Sequence, residues 1–174
     1  MYDIQINNEQ QRLLIADANL KQIVSYVLTQ EQVLAAEISV AVVDNPTIWR
    51  LNRRHLQHDY PTDVLSFLLD CQPENATAEE SDQKIPRGVG KTISGEVIVS
   101  AEMACDMAAQ YHWNGQDELC LYLVHGLLHL CGYDDLSAEE QTVMRLRERA
   151  ILQHWNLVPH YADFPATVAA EEAS

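Results

Sequence analysis

Two histidines four residues apart, His125 and His129, sit in the run Val124-His125-Gly126-Leu127-Leu128-His129-Leu130-Cys131-Gly132-Tyr133-Asp134-Asp135. On a helix that spacing projects both imidazoles from one face about one turn apart, where both can grip a single metal ion. Gly132 suits the left-handed position that ends a helix and lets the chain double back. Asp134 or Asp135 then lands where a third ligand is needed. Three protein ligands leave a fourth position for water, the catalytic arrangement, because a closed four-ligand site cannot activate a nucleophile. The residue after His125 is Gly126 and not glutamate, so the metalloprotease motif H-E-x-x-H, with its built-in base, is missing. Two histidines and a carboxylate also bind Fe(II) in oxygenases. Taken alone, these residues stop at a metal-dependent hydrolase.

The elements that must position this pair follow from periodicity and capping residues. Tyr2 to Asn7 alternates as a short strand, and Ala18 to about Leu34 has helical apolar spacing with Asp17 as N-cap. Glu37 to Val43 alternates as a second strand. Asn45 as cap and Pro46 at the first helical position open a helix that stops before Pro61. Asp63 to Leu69 and Ser94 to Val99 are strands, separated by an aperiodic loop over 70–92. Ser100 caps a helix to about Tyr111, and Asn114 opens the apolar helix that carries both histidines. Ser137-Ala138-Glu139-Glu140 forms a capping box for a last helix to about His154. This order implies an α+β (α/β-like) domain over residues 1–161: one mixed sheet of about four strands with helices packed on it and the metal site on a central helix. Residues 162–174 read as an acidic, disordered tail.

Composition limits how such a protein meets its substrate. The chain has 174 residues, 11 Lys plus Arg against 26 Asp plus Glu, and a formal net charge of −15. Its 47% hydrophobic and 21% charged content is that of an ordinary globular domain. Bulk charge attraction to nucleic acid is therefore excluded, and any contact with RNA must be local, through a basic cleft or a metal. Six of the eleven basic residues fall between Arg50 and Lys91, which leaves that stretch nearly neutral. No run approaches the roughly 18 apolar residues of a membrane span, and the N-terminus lacks a signal-like basic region and apolar core. The expectation is a soluble cytoplasmic protein with no membrane or DNA partner. Cys71, Cys105, Cys120 and Cys131 form no C-x-x-C pair and read as buried thiols. Trp49, Trp113 and Trp155 read as core or core-edge residues, and His55, His58, His112, His154 and His160 as surface histidines.

The run from His125 to Asp134 resembles the H-G-x-L-H-L-x-G-Y-D-H signature of the YbeY-type endoribonucleases, with Asp135 in its final position. Leu51-Asn52 followed by Asp59-Tyr60-Pro61-Thr62-Asp63-Val64-Leu65-Ser66-Phe67 is similar to a second family block, and Gly95 to Ser100 to a third. The blocks keep the family's order, and the resemblance spans roughly residues 2 to 155. It implies a metal-dependent, single-strand-specific endoribonuclease of bacteria, acting in small-subunit ribosomal RNA 3′-end maturation and ribosome quality control. The implied partners are single-stranded or ribosomal RNA and the small ribosomal subunit. The implied cofactor is one Zn²⁺ held by His125, His129 and Asp135, with Mn²⁺ or another divalent ion as an alternative. A non-enzymatic ribosome-assembly factor with a structural metal is the competing reading.

The chain departs from the family in two places. Asp135 replaces the usual third histidine; aspartate is a competent zinc ligand, but its charge offsets more of the cation's. Leu56 stands where the family carries an arginine thought to hold the RNA phosphate. Arg53, one turn earlier on the same helix face, is the candidate replacement. Either the metal-bound hydroxide itself or Asp134 handles the proton, and Ser66 is the candidate to line the substrate cleft through its hydroxyl. Tyr133 is a candidate to position the turn between ligands.

Overall fold

The protein is described by a computed structural model over residues 1–57, 62–73 and 85–161. Alternation in the N-terminal half builds strand β1 (Tyr2–Asn8) and strand β2 (Ala35–Val43), joined by helix α1 (Asp17–Gln30). Helix α2 (Asn45–Leu56) leads to β3 (Val64–Pro73), and β4 (Lys91–Ser100) runs directly into α3 (Ala101–Ala108). Helices α4 (Gly115–Cys131) and α5 (Ala138–Leu152) follow, and a 3₁₀ turn at Gln153–Trp155 closes the described elements.

The four strands form one mixed sheet in the order β1-β2-β4-β3. β1, β2 and β4 are parallel, and β3 pairs antiparallel with β4. Parallel neighbours need a crossover, which α1 supplies between β1 and β2. Because side chains alternate along a strand, β2 sends Ile38, Val40 and Val42 to one face and Val43 to the other. The first face carries the large core, shared with α1, α3, α4 and α5; the second is covered by Ile48 of α2 against Leu65 and Ile98.

Helix α4 lies at the centre of the large core, against α1, α3, α5, β3 and β4. Its first turn is closed by a capping box between Asn114 and Asp117. Its last turn ends at Gly132, where φ is +107°. The Gly132 and Tyr133 N–H groups donate to His129 and Leu128 carbonyls, each at 3.0 Å. Lys91 Nζ donates to the Cys131 carbonyl at 3.1 Å, a cation at the negative end of the helix. Gly126 lets this helix touch the sheet: a Cβ there would lie 2.7 Å from Val97 Cγ1 and 3.0 Å from Val64 Cγ2. Gly126→Ala is therefore expected to destabilise the fold by about 1–2 kcal/mol despite alanine's better helix propensity. A lower denaturant midpoint at unchanged slope is the check.

Several local boundaries differ from those the sequence implies. Asp17 is the first residue of α1 rather than its cap; Ala16 holds the cap position without a side-chain bond. That helix ends at Gln30, because Gln32 turns left-handed (φ 57°) and Val33 N–H bonds back to the Leu28 carbonyl. Asp44, not Asn45, caps α2 by accepting from Thr47 N–H at 2.9 Å. Asn45 instead accepts from Ser100 Oγ at 2.6 Å. Residues 70–73 and 91–92 belong to the β3–β4 ladder rather than a loop, with a bulge between Leu68 and Asp70. α3 stops at Ala108 and α5 at Leu152. Ser137 caps α5 by accepting from Glu140 N–H. Cys71 and Cys105 are half-buried, while Cys120 and Cys131 are buried. Burial pushes the Cys120 thiol up to about 12, so it is inert as a nucleophile at neutral pH. No helix among the described residues is long and apolar enough to cross a membrane. His58, Asp59, Tyr60, Pro61, residues 74–84 and the 162–174 tail lie outside the described residues.

Candidate metal centre

Helical spacing on α4 places Glu118, Tyr122, His125 and His129 along one stripe, at intervals of four, three and four residues. The last two present their Nε2 atoms to each other at 3.0 Å. After the reversal at Gly132, the buried Tyr133 anchors the returning chain and Asp135 Oδ2 comes to 3.5 Å from His125 Nε2 and 3.7 Å from His129 Nε2. Asp134 sits beside this group without joining it; its Oδ1 accepts from the Asp135 N–H at 2.7 Å, which shapes the turn. The ambiguity between the two aspartates is thereby resolved geometrically in favour of Asp135 as the converging carboxylate.

Both rings are held from behind. His129 Nδ1 bonds the Tyr133 carbonyl at 3.1 Å, and His125 Nδ1 bonds the Glu148 carboxylate. A carbonyl and a carboxylate are acceptors, so each Nδ1 carries the proton and each Nε2 presents its lone pair inward. With both rings neutral, two lone pairs and a carboxylate oxygen facing one point repel one another, and either a proton on one ring or a metal cation between them relieves this. Tetrahedral ligands about 2.0–2.1 Å from a zinc ion lie about 3.3 Å from one another. The spacings of 3.0, 3.5 and 3.7 Å bracket that value, so the donor set fits a divalent ion.

Electrostatics split the pair. Burial disfavours the charged form of His125, but the Glu148 carboxylate, with Asp63 and Asp135, outweighs it and holds the pKa above the ordinary histidine value. His129 goes the other way, lowered by burial and by the neighbouring His125. His125 is therefore the ring that a metal must compete with protons to occupy.

Glu148 is the residue the sequence reading missed. It is 2% exposed, on α5, and its second oxygen accepts from the Tyr161 hydroxyl. Its signal was present: it falls in the buried stripe of α5, four residues after Met144 and three before Ile151. A carboxylate at such a position needs a buried partner. Helix α5 is fixed against α1 by a second buried acid, Glu31, which accepts from Arg147 Nε at 2.5 Å and from Arg87 N–H at 2.9 Å.

Beside His125 and Asp135 opens a cleft of about 440 Å³ whose walls include Thr62, Asp63, Glu118, Arg145, Glu148 and Tyr161. Burial holds the Glu118 carboxyl above the usual carboxylate range. Ser66 lies on β3 beneath α4, where its hydroxyl donates to the Gly126 carbonyl at 3.0 Å. Arg53 is exposed on α2 with its guanidinium 5.9 Å from the Trp49 ring centre, and it is not among the residues lining this cleft. Leu56, the last residue of α2, is 46% exposed. Among the other histidines, His154 stacks on Tyr26 with centroids 4.0 Å apart, and His160 on Tyr111 at 4.9 Å. Trp155 packs at the core edge, and Trp49 is more exposed than a core residue.

A helix-borne pair of imidazoles with a converging carboxylate, packed on a mixed four-stranded sheet, defines an α+β protein with a group of side chains that could hold a metal ion. The family model described as Endoribonuclease YbeY matches residues 5–156. An Endoribonuclease YbeY of Clostridium tetani is 33% identical over 163 residues, covering 88% of this chain and 98% of the relative. One from Protochlamydia amoebophila is 36% identical over 151 residues, covering 87% and 91%. A solution structure of a Thermotoga maritima protein shares the fold, with a TM-score of 0.51 at 23% identity over 87% of this chain and 91% of that one. The chain belongs to the YbeY family.

Proposed function

We propose that this protein is a zinc-dependent endoribonuclease that cleaves single-stranded RNA, acting in maturation of the small-subunit ribosomal RNA 3′ end and in ribosome quality control in the cytoplasm. The observation that carries the reading is the convergence of His125 Nε2, His129 Nε2 and Asp135 Oδ2 beside an open cleft. A divalent ion bound there supplies Lewis acidity toward a phosphoryl oxygen and toward the attacking water. Glu148 and the Tyr133 carbonyl keep both rings in the ligating tautomer. Asp134, beside the ligand group and without a glutamate base next to His125, is the carboxylate assigned to take up the water's proton. Ser66 contributes by holding the α4 backbone under the site. RNA of the small ribosomal subunit is the proposed partner.

The test is cleavage of an unpaired oligoribonucleotide against its duplex. Loss of activity on chelation, recovery with zinc and a strong preference for the unpaired strand support the reading; equal cutting of both, or none, overturns it. Metal choice is tested through Asp135. Because a carboxylate neutralises more of the ion's charge than an imidazole, Asp135→His is expected to shift the pH–rate profile toward lower pH. The same variant is expected to bind Mn²⁺ less well relative to zinc. Identical profiles and affinities would remove the argument.

A non-catalytic role, with the metal serving only the fold, is favoured by one feature, Leu56 in place of the family's arginine. In that case an Asp135→Ala variant would lose folding rather than turnover.

A further inference from the structure

The metal cleft is acidic, and this bears on how it accepts a polyanion. Asp63, Glu118, Asp135 and Glu148 all contribute to its walls, in a chain of net charge −15. Arg145 is the one arginine or lysine lining the cleft among the described residues. Resting on the endoribonuclease reading, we propose that Arg145 is the side chain that receives an RNA backbone phosphate beside the metal centre.

Three observations support the assignment. Arg145 lies one turn before Glu148 on α5, so it shares a helix face with the carboxylate that orients His125. Its guanidinium carbon sits 4.8 Å over the Tyr161 ring, and the hydroxyl of that ring donates to Glu148. Stacking fixes the plane of a guanidinium while leaving its N–H edges outward. Among the described residues Arg145 has no carboxylate partner within ion-pair distance. A guanidinium held over a ring beside the candidate metal centre, with no carboxylate partner among the described residues, can offer phosphate its bidentate edge. Arg147, by contrast, is spent on Glu31 and the Gln30 carbonyl.

The experiment compares Arg145→Gln, Arg145→Lys and Arg53→Ala with the parent chain, all zinc-loaded, on one unpaired oligoribonucleotide. Arg145→Gln is expected to lose about 10²-fold in kcat/KM, with zinc content and near-ultraviolet circular dichroism unchanged. Arg145→Lys is expected to recover only part of this, because lysine keeps the charge but not the planar fork. The salt dependence of binding is expected to fall by about 0.7 in logarithmic slope for Arg145→Gln, as for one lost contact to a single strand. Unchanged kcat/KM in Arg145→Gln overturns the proposal, as does a large loss in Arg53→Ala alone. If the parent chain cuts no RNA, the endoribonuclease reading fails by itself. Anisotropy of the same labelled oligonucleotide then decides Arg145: weaker binding by Arg145→Gln sustains it, and equal or absent binding overturns it.

Discussion

Replacing His125 and His129 together by alanine is expected to leave a folded protein that retains no stoichiometric divalent ion and cleaves RNA at least ~10³-fold more slowly. Both Nε2 donors disappear, and the lone Asp135 carboxylate, partly exposed, cannot hold the ion by itself. The same loss is readable without any activity assay. A ligand at 100 times its Kd stabilises the native state by about 2.7 kcal/mol. For a domain of this size that corresponds to a Tm rise of about 5–10 °C. The parent chain is expected to show that rise on adding zinc, and the double variant none. Removing His125 leaves the buried Glu148 carboxylate with Tyr161 as its named partner, a cost of about 1–3 kcal/mol. His129→Ala alone spares that contact, so a loss of ion binding in the single variant cannot be assigned to misfolding.

The second large effect belongs to Glu148. Glu148→Gln keeps an acceptor for His125 Nδ1 but removes the negative charge that makes the ring a better ligand. Such substitutions behind a metal ligand cost about 10- to 100-fold in metal affinity, and chelator competition measures it. The pH dependence carries the sign. In the metal-free protein the pKa of His125 is raised, with Glu148 the main attractive cause against burial. The stabilisation from that pair is therefore fully present below the unfolded histidine value of about 6.5 and is lost as pH rises through the folded value. Glu148→Gln is expected to lose stability chiefly on the acid side, so the gap to the parent chain narrows as pH increases. A gap that widens with pH, together with unchanged zinc affinity, would contradict the role given to Glu148.

How much of this was visible in the chain depends on the range of the interactions involved. The histidine pair was legible because i, i+4 geometry is a property of one helix, and α4 is long, apolar and capped at both ends. Asp135 is singled out as the candidate third ligand by the resemblance of the His125–Asp135 run, and the turn after Gly132 explains why it, rather than Asp134, reaches the rings. Glu148 was not legible in the same way. It lies 23 residues from His125, and their contact depends on the packing of α5 against α4, which no local rule supplies. Arg145 and Tyr161 entered the cleft by the same long-range packing. The strand boundaries failed for a different reason: the bulge between Leu68 and Asp70 breaks the alternation that marks a strand, although pairing with β4 resumes beyond it. At α2, Asp44 and Asn45 are equally good capping types, so only the backbone conformation could decide between them.

X-ray absorption spectroscopy at the zinc edge, on the protein loaded with one equivalent of metal, tests the central claim most directly. The account predicts a first shell of two imidazole nitrogens and oxygen donors at about 2.0–2.1 Å, with the imidazole scattering removed in the His125→Ala, His129→Ala protein. A shell containing sulfur, or an imidazole signal that survives the double substitution, would contradict it.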